Sequence, residues 1–210
     1  YEYNPTGRET VLLIHGWPLS HKIFEYQTEL LTEYGYRTVA VDLRGFGESD
    51  GPSYGYGYDQ MATDIYNVVC ALSLRKFTLT GFSMGGAIAL RYMNIYNGYG
   101  VKKLILLAAA APCWTKRRGF PYGIPRETAE QLIVQARTDR AQLAETFSHR
   151  QLFACPQSEA AKDWFADIAL SASGIGTVQS AFSLLAEDGR QDLTHVPVPA
   201  WIIYGEKDVV

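Results

Sequence analysis

Apolar residues along this chain fall into two alternating textures, and the alternation predicts a fold class before any chemistry is considered. Short apolar runs occur at 10–14 (TVLLI), 37–42, 76–80, 103–107 and 200–204. Runs of that length, rich in apolar and β-forming residues, predict strands buried on both faces. Between them, apolar residues recur at helical spacing at 23–34, in a stretch that opens on an Asp59 cap signal and ends near Leu72, and at 84–96. Strand, loop and helix in repeated order predict an α/β protein, a mostly parallel sheet with helices on both faces. From Cys113 to about Asp192 only helical periodicity remains, as at 127–137, 140–147 and 160–170. That stretch reads as a helical insertion capping the sheet's edge. It divides the chain into a core at 1–112, the cap insertion at 113–192 and a return to the core at 193–210.

Composition narrows the function classes. With 47% hydrophobic and 20% charged residues over 210 positions, the chain suits a packed globular core. Its 19 basic and 22 acidic side chains give a formal charge of −3 without any basic block. No electrostatic footprint for nucleic acid or an anionic membrane results, and a small molecule is the expected partner. The longest apolar stretch, 104–112, is too short to span a bilayer, and no basic-then-apolar leader opens the chain; a cytoplasmic location is the expectation. Cys70, Cys113 and Cys155 are widely spaced, which predicts neither a disulfide framework nor a thiolate metal site. Cys70 is expected to be core.

Chemistry concentrates at 81–85 (GFSMG), directly between an apolar strand and an amphipathic helix. A G-x-S-x-G turn in that context forces the serine into a strained conformation and lifts its hydroxyl clear of the sheet. Side chains two positions to either side would strike neighbouring backbone, hence Gly81 and Gly85. Ser83 is the candidate nucleophile. The helix N-terminus behind it offers unpaired N–H groups to a developing oxyanion. An oxyanion hole needs a donor after the serine, here the Met84 N–H, and one from an earlier strand-end loop, here Trp17 in His15-Gly16-Trp17-Pro18. His15 is expected to bond backbone and hold that loop rather than transfer protons.

Where a Ser, acid and His triad is built around such a turn, the acid follows on a later strand and the histidine follows the acid. Asp208, in Tyr204-Gly205-Glu206-Lys207-Asp208, is the candidate acid, with Glu206 as competitor. Asp42 also ends a strand but precedes the serine and is read as anchoring the turn at 44–47. The histidines are His15, His21, His149 and His195, and none follows Asp208. His195 precedes the strand that carries Asp208, so it belongs at the opposite end of the sheet, roughly 20 Å away at ~3.3 Å per residue. His21 and His149 read as packed or solvated.

The segments HGWPL at 15–19, DLRGFGESD at 42–50, GFSMGGAIALRY at 81–92, LLAAAAP at 106–112 and IIYGEKD at 202–208 together resemble the α/β-hydrolase superfamily, particularly its cofactor-free haloperoxidase, aryl esterase and perhydrolase branch. The resemblance covers essentially the whole chain. It implies acyl transfer to Ser83 from a small-molecule carboxylic ester, with Trp17 and Met84 as oxyanion donors and Asp208 as triad acid. Peroxide in place of water would give perhydrolase and haloperoxidase side activity. Members of the branch begin with a further strand and hairpin and end with a last strand, the histidine and a helix, so the chain reads as clipped at both ends.

Haloalkane dehalogenases and many epoxide hydrolases resemble the same scaffold but carry aspartate at the elbow, which Ser83 argues against. No H-E-x-x-H or P-loop pattern is present, and Asp50 stands where a dinucleotide fingerprint needs its third glycine. No metal and no organic cofactor are expected. The alternatives are cleavage of a C–C or amide bond by the same triad, and a hydrolase-fold protein that binds ligand without turnover. Trp114, Phe120, Tyr122, Phe153 and Trp164 either line an apolar pocket or pack the insertion.

Overall fold

A computed structural model describes residues 1–208. Six strands form one sheet in the order β1-β3-β2-β4-β5-β6, with β1 (Glu2–Asn4), β2 (Glu9–Ile14), β3 (Tyr36–Val41), β4 (Phe77–Phe82), β5 (Val101–Leu107) and β6 (Ala200–Ile203). Only β1 runs antiparallel to its neighbour. The predicted strands are all present, and β4 runs two residues further than its apolar run, to the edge of the serine turn.

Alternation along the central strands divides the core. Leu12, Ile14, Val39, Val41 and Leu79 face α2 (Tyr58–Ala71) and α3 (Met84–Ile95), whereas Val11, Leu13 and Ala40 face the other side with Phe24 and Leu31. The latter belong to a 3-10 turn (His21–Phe24) and to α1 (Glu25–Glu33). Both faces are covered, which is why these strands are rich in apolar and β-branched residues on both faces. The Asp59 signal is corrected: Gly57 caps α2, and the Asp59 carboxylate pairs with Arg91 of α3 instead. Cys70 is also corrected. It is exposed, because the buried stripe of α2 runs through Ile65 and Val69, about 100° around the helix from it.

Between β5 and β6 lie α4 (Arg126–Thr138), α5 (Arg140–Thr146), α6 (Glu159–Ser171) and α7 (Gly174–Ala186). Ala144, Ile168 and Ala169 of α5 and α6 pack with Leu19 and Phe82, which follow and end strands β2 and β4. The insertion therefore covers the carboxyl ends of the strands. Its far end is tied to the core by Arg91, which pairs with Glu187 at 3.1 Å and the buried Asp192 at 2.9 Å. Removing one partner of such a cluster would strand a buried charge.

Candidate active site

Ser83 adopts φ 51° and ψ −119° as the residue before α3, a region that L-residues enter only at a cost of order 1–3 kcal/mol. Its backbone is held from three sides: Ser83 N–H donates to Leu107 O at 2.9 Å, and its carbonyl accepts from Gly86 and Ala110 N–H at 2.9 and 3.0 Å. The glycine requirement is steric. A Cβ on Gly81 would lie 2.4 Å from the Gly85 carbonyl oxygen, and one on Gly85 would lie 2.3 Å from that of Ile14. The Ser83 hydroxyl has no hydrogen-bond partner among the described residues, and the residue is half-buried.

Register places the other candidates at the same end of the sheet. Ile14 pairs with Gly81, so the loop at 15–18 and the serine turn leave adjacent strands side by side. A Cβ on Gly16 would lie 2.8 Å from the Ser83 Cβ; only glycine lets the loop come so near. Neither the Trp17 N–H nor the Met84 N–H donates to a partner among the described residues. Met84 is the first residue of α3, where the helix leaves its amide unused. On the other side, Phe82 aligns with Leu107 and Leu107 with Ile203, which brings the exposed turn bearing Asp208 to the level of Ser83, two strands or roughly 10 Å across. The Asp208 N–H closes that turn on Gly205 O at 3.0 Å.

The four histidines have other occupations. His15 is fully buried; its Nε2 accepts from Leu43 N–H at 3.0 Å, so Nδ1 carries the proton and donates to Gly16 O at 2.9 Å. Burial holds its pKa down to about 4, and the ring is neutral at neutral pH. His149 lies 3.4 Å from Glu159 and 3.1 Å from Asp163. His195 meets Thr194 Oγ1 at 2.7 Å, ahead of β6.

His21 forms a His–Asp pair with Asp42, Nδ1 to Oδ2 at 2.8 Å. Its Nε2 faces Glu2 of the edge strand β1 at 4.0 Å, and β3 and β2 stand between that strand and β4, which carries the serine turn. Asp42 does anchor the turn that follows it, accepting from Glu48 N–H at 3.0 Å, and it also accepts from His21 N–H at 2.7 Å.

Burial pushes the Asp42 carboxyl up, but these donors outweigh it and bring the pKa to about 2; the hydrogen bond to Asp42 raises that of His21 above 6.5, against burial. The depressed acid contributes stability present above an unfolded pKa near 4 and lost as pH falls towards 2. The raised base contributes stability present below 6.5 and lost as pH rises through its folded value. The melting temperature lost in His21→Asn should therefore be greatest between about pH 4 and 6.5 and shrink on either side; a pH-independent loss would show that the pair carries no such linkage.

Sequence reasoning gave the loop after β5 no role beyond its part in the family resemblance. Tyr204 donates its hydroxyl to Ala109 O, Ala110 N–H holds the Ser83 carbonyl, and a Cβ on Gly86 would lie 2.5 Å from the Ala109 Cβ. The run AAAA at 108–111 was the available signal, since only small side chains let this loop lie against the elbow. Of the aromatic candidates, Trp164 packs in the cluster that contains Phe82, Trp114 is buried in the main core, and Tyr122 is 70% exposed.

A family model described as alpha/beta hydrolase fold matches residues 9–210. The AB hydrolase superfamily protein YisY of Bacillus subtilis is 45% identical over 198 residues, covering 94% of this chain and 74% of that protein. An esterase from Exiguobacterium antarcticum superposes with a TM-score of 0.92 at 42% identity, over 96% of this chain and 74% of its own. A bromoperoxidase from Bacillus anthracis gives 0.92 at 36% identity, over 97% and 75%. No single helix among the described residues is long and apolar enough to cross a membrane.

Proposed function

Because this chain belongs to the α/β-hydrolase fold family, we propose that it is a serine hydrolase of small carboxylic esters working through an acyl-enzyme. Ser83 Oγ attacks the ester carbonyl and its proton passes to a histidine oriented by Asp208. The Trp17 and Met84 amides receive the negative charge that develops on the carbonyl oxygen, and the alcohol leaves with the proton. Water, activated by the same histidine, then releases the acid and restores the serine. Each amide would contribute about 3–4 kcal/mol to lowering the barrier. His15, His21, His149 and His195 are engaged as described, so in this reading the base is a histidine that these 210 residues do not supply.

The observation that carries the reading is the strained Ser83 backbone beside two main-chain amides that no acceptor among the described residues uses. Peroxide competing with water for the acyl-enzyme is a second reading, favoured by the similarity to a bromoperoxidase; it would yield a peracid without altering the roles of Ser83, Trp17, Met84 or Asp208. The helical segment at 113–192 is proposed as the acyl-pocket wall, with Trp164 and Phe82 in one apolar cluster.

The test is labelling of the full-length protein with an activated fluorophosphonate followed by peptide mass analysis. One adduct on Ser83, competed by an aryl ester, is expected. A folded protein that stays unmodified at Ser83 while other serines react would rule the mechanism out.

A further inference from the structure

The loop at 15–21 is held by β3 and its following turn at two points. One is the His15 ring, bridging Gly16 O and Leu43 N–H; the other is Asp42, accepting from His21 N–H. A third tie leaves the sheet altogether. The Trp17 indole Nε1–H donates to the Thr177 carbonyl in α7 at 2.8 Å, across 160 residues of sequence, with both residues buried. A helical carbonyl has a second lone pair, so Thr177 can accept this bond without breaking its helix.

Helix α7 is itself docked at backbone distance. Ser173 N–H donates to Gly45 O at 2.8 Å, and a Cβ on Gly176 would lie 2.8 Å from that oxygen. Ser183 Oγ donates to Tyr56 O at 2.7 Å, and Glu187, just past the helix, accepts from Tyr58 N–H at 3.0 Å. The 15–21 loop, the 42–50 turn and α7 thus close a triangle in which every side is hydrogen-bonded. Such a helix is a fixed wall.

We infer that the Trp17 side chain is a positioning residue for ester hydrolysis: by bonding Thr177 of α7 it fixes the plane of its own peptide and aims the Trp17 N–H at the oxyanion. This rests on the hydrolase reading above. A donor that must be aligned before charge develops loses its value when its peptide can rock, whereas ground-state ester binding makes little use of it. The signature is a loss in kcat with KM nearly unchanged.

The test replaces Trp17 in the full-length protein by 3-benzothienylalanine, which keeps ring and volume but has sulfur in place of N–H, alongside Trp17→Phe. With an aryl acetate, kcat should fall about tenfold and KM stay within about twofold, and the affinity for an aryl trifluoromethyl ketone should weaken by the same factor. Gly176→Ala, which pushes α7 off Gly45 without touching Trp17, should act in the same direction. Combined with the benzothienyl replacement, its effect should be less than multiplicative. Unchanged kcat with a lowered melting temperature would show a mere structural anchor and overturn the inference, as would multiplicative effects. If the unsubstituted protein neither hydrolyses esters nor is labelled at Ser83, the hydrolase reading fails and this one falls with it.

Discussion

Ser83→Ala in the full-length protein is expected to lower kcat for an aryl ester by about 10⁶-fold, leaving roughly 10³–10⁴ over water from binding and the oxyanion amides. The fold should be untouched. Alanine keeps the Cβ and loses only a hydroxyl that has no partner among the described residues, and the backbone bonds of position 83 are indifferent to the side chain. The strain at φ 51° is the same for both residues. Ser83→Gly provides the contrasting sign: equally inactive, but with a higher melting temperature, because glycine enters positive φ freely. Steady-state kinetics with thermal melts of both variants test this. Activity within tenfold of the parent in either one would remove Ser83 from the mechanism, and a glycine variant less stable than the alanine one would show that the bend is not strained.

What the sequence made legible follows from how each element is stabilised. β2, β3 and β4 are buried on both faces, so their apolar runs could hardly be anything else. The elbow was legible because sterics at Gly81 and Gly85 leave no substitute for glycine. Helix α7 lies within the stretch read as helical but was not delimited, for a related reason: Gly174, Gly176, Ser180 and Ser183 have weak helix propensity, yet Gly176 is what lets the helix reach Gly45. β1 is three residues long and mostly exposed, so it carries no periodic signal, and only pairing with β3 defines it. The His21–Asp42 pair was invisible because its members lie 21 residues apart, on different elements, and nothing in either neighbourhood marks the contact. Trp17 to Thr177 is the extreme case. A side-chain to main-chain bond across the insertion leaves no trace in spacing, although it touches the residue on which the oxyanion reading depends.

Asp208 and Glu206 are the two acids that the turn after β6 offers, and the proposed mechanism gives the triad role to Asp208. Ile203 is level with Leu107 and Phe82, so the chain must travel past Glu206 before it doubles back through the Asp208 N–H bond to Gly205 O. Burial raises the Tyr204 phenol, and the Asp208 charge raises it further; the same tyrosine bonds the post-β5 loop against the elbow. In the proposed mechanism the Asp208 carboxylate faces an imidazole standing over Ser83. Asp208→Asn is isosteric but cannot hold the imidazole in the tautomer whose Nε2 accepts the serine proton, nor offset the imidazolium charge. Its kcat should fall about 10⁴-fold. Glu206→Gln, altering a side chain to which the proposed mechanism gives no role, should stay within about tenfold. The two variants, compared in the full-length protein by ester turnover and by the rate of phosphonate labelling at Ser83, separate the candidates. A large loss in Glu206→Gln with Asp208→Asn near the parent would transfer the acid's role to Glu206, because only the acid bonded to the imidazole can govern how readily Ser83 gives up its proton.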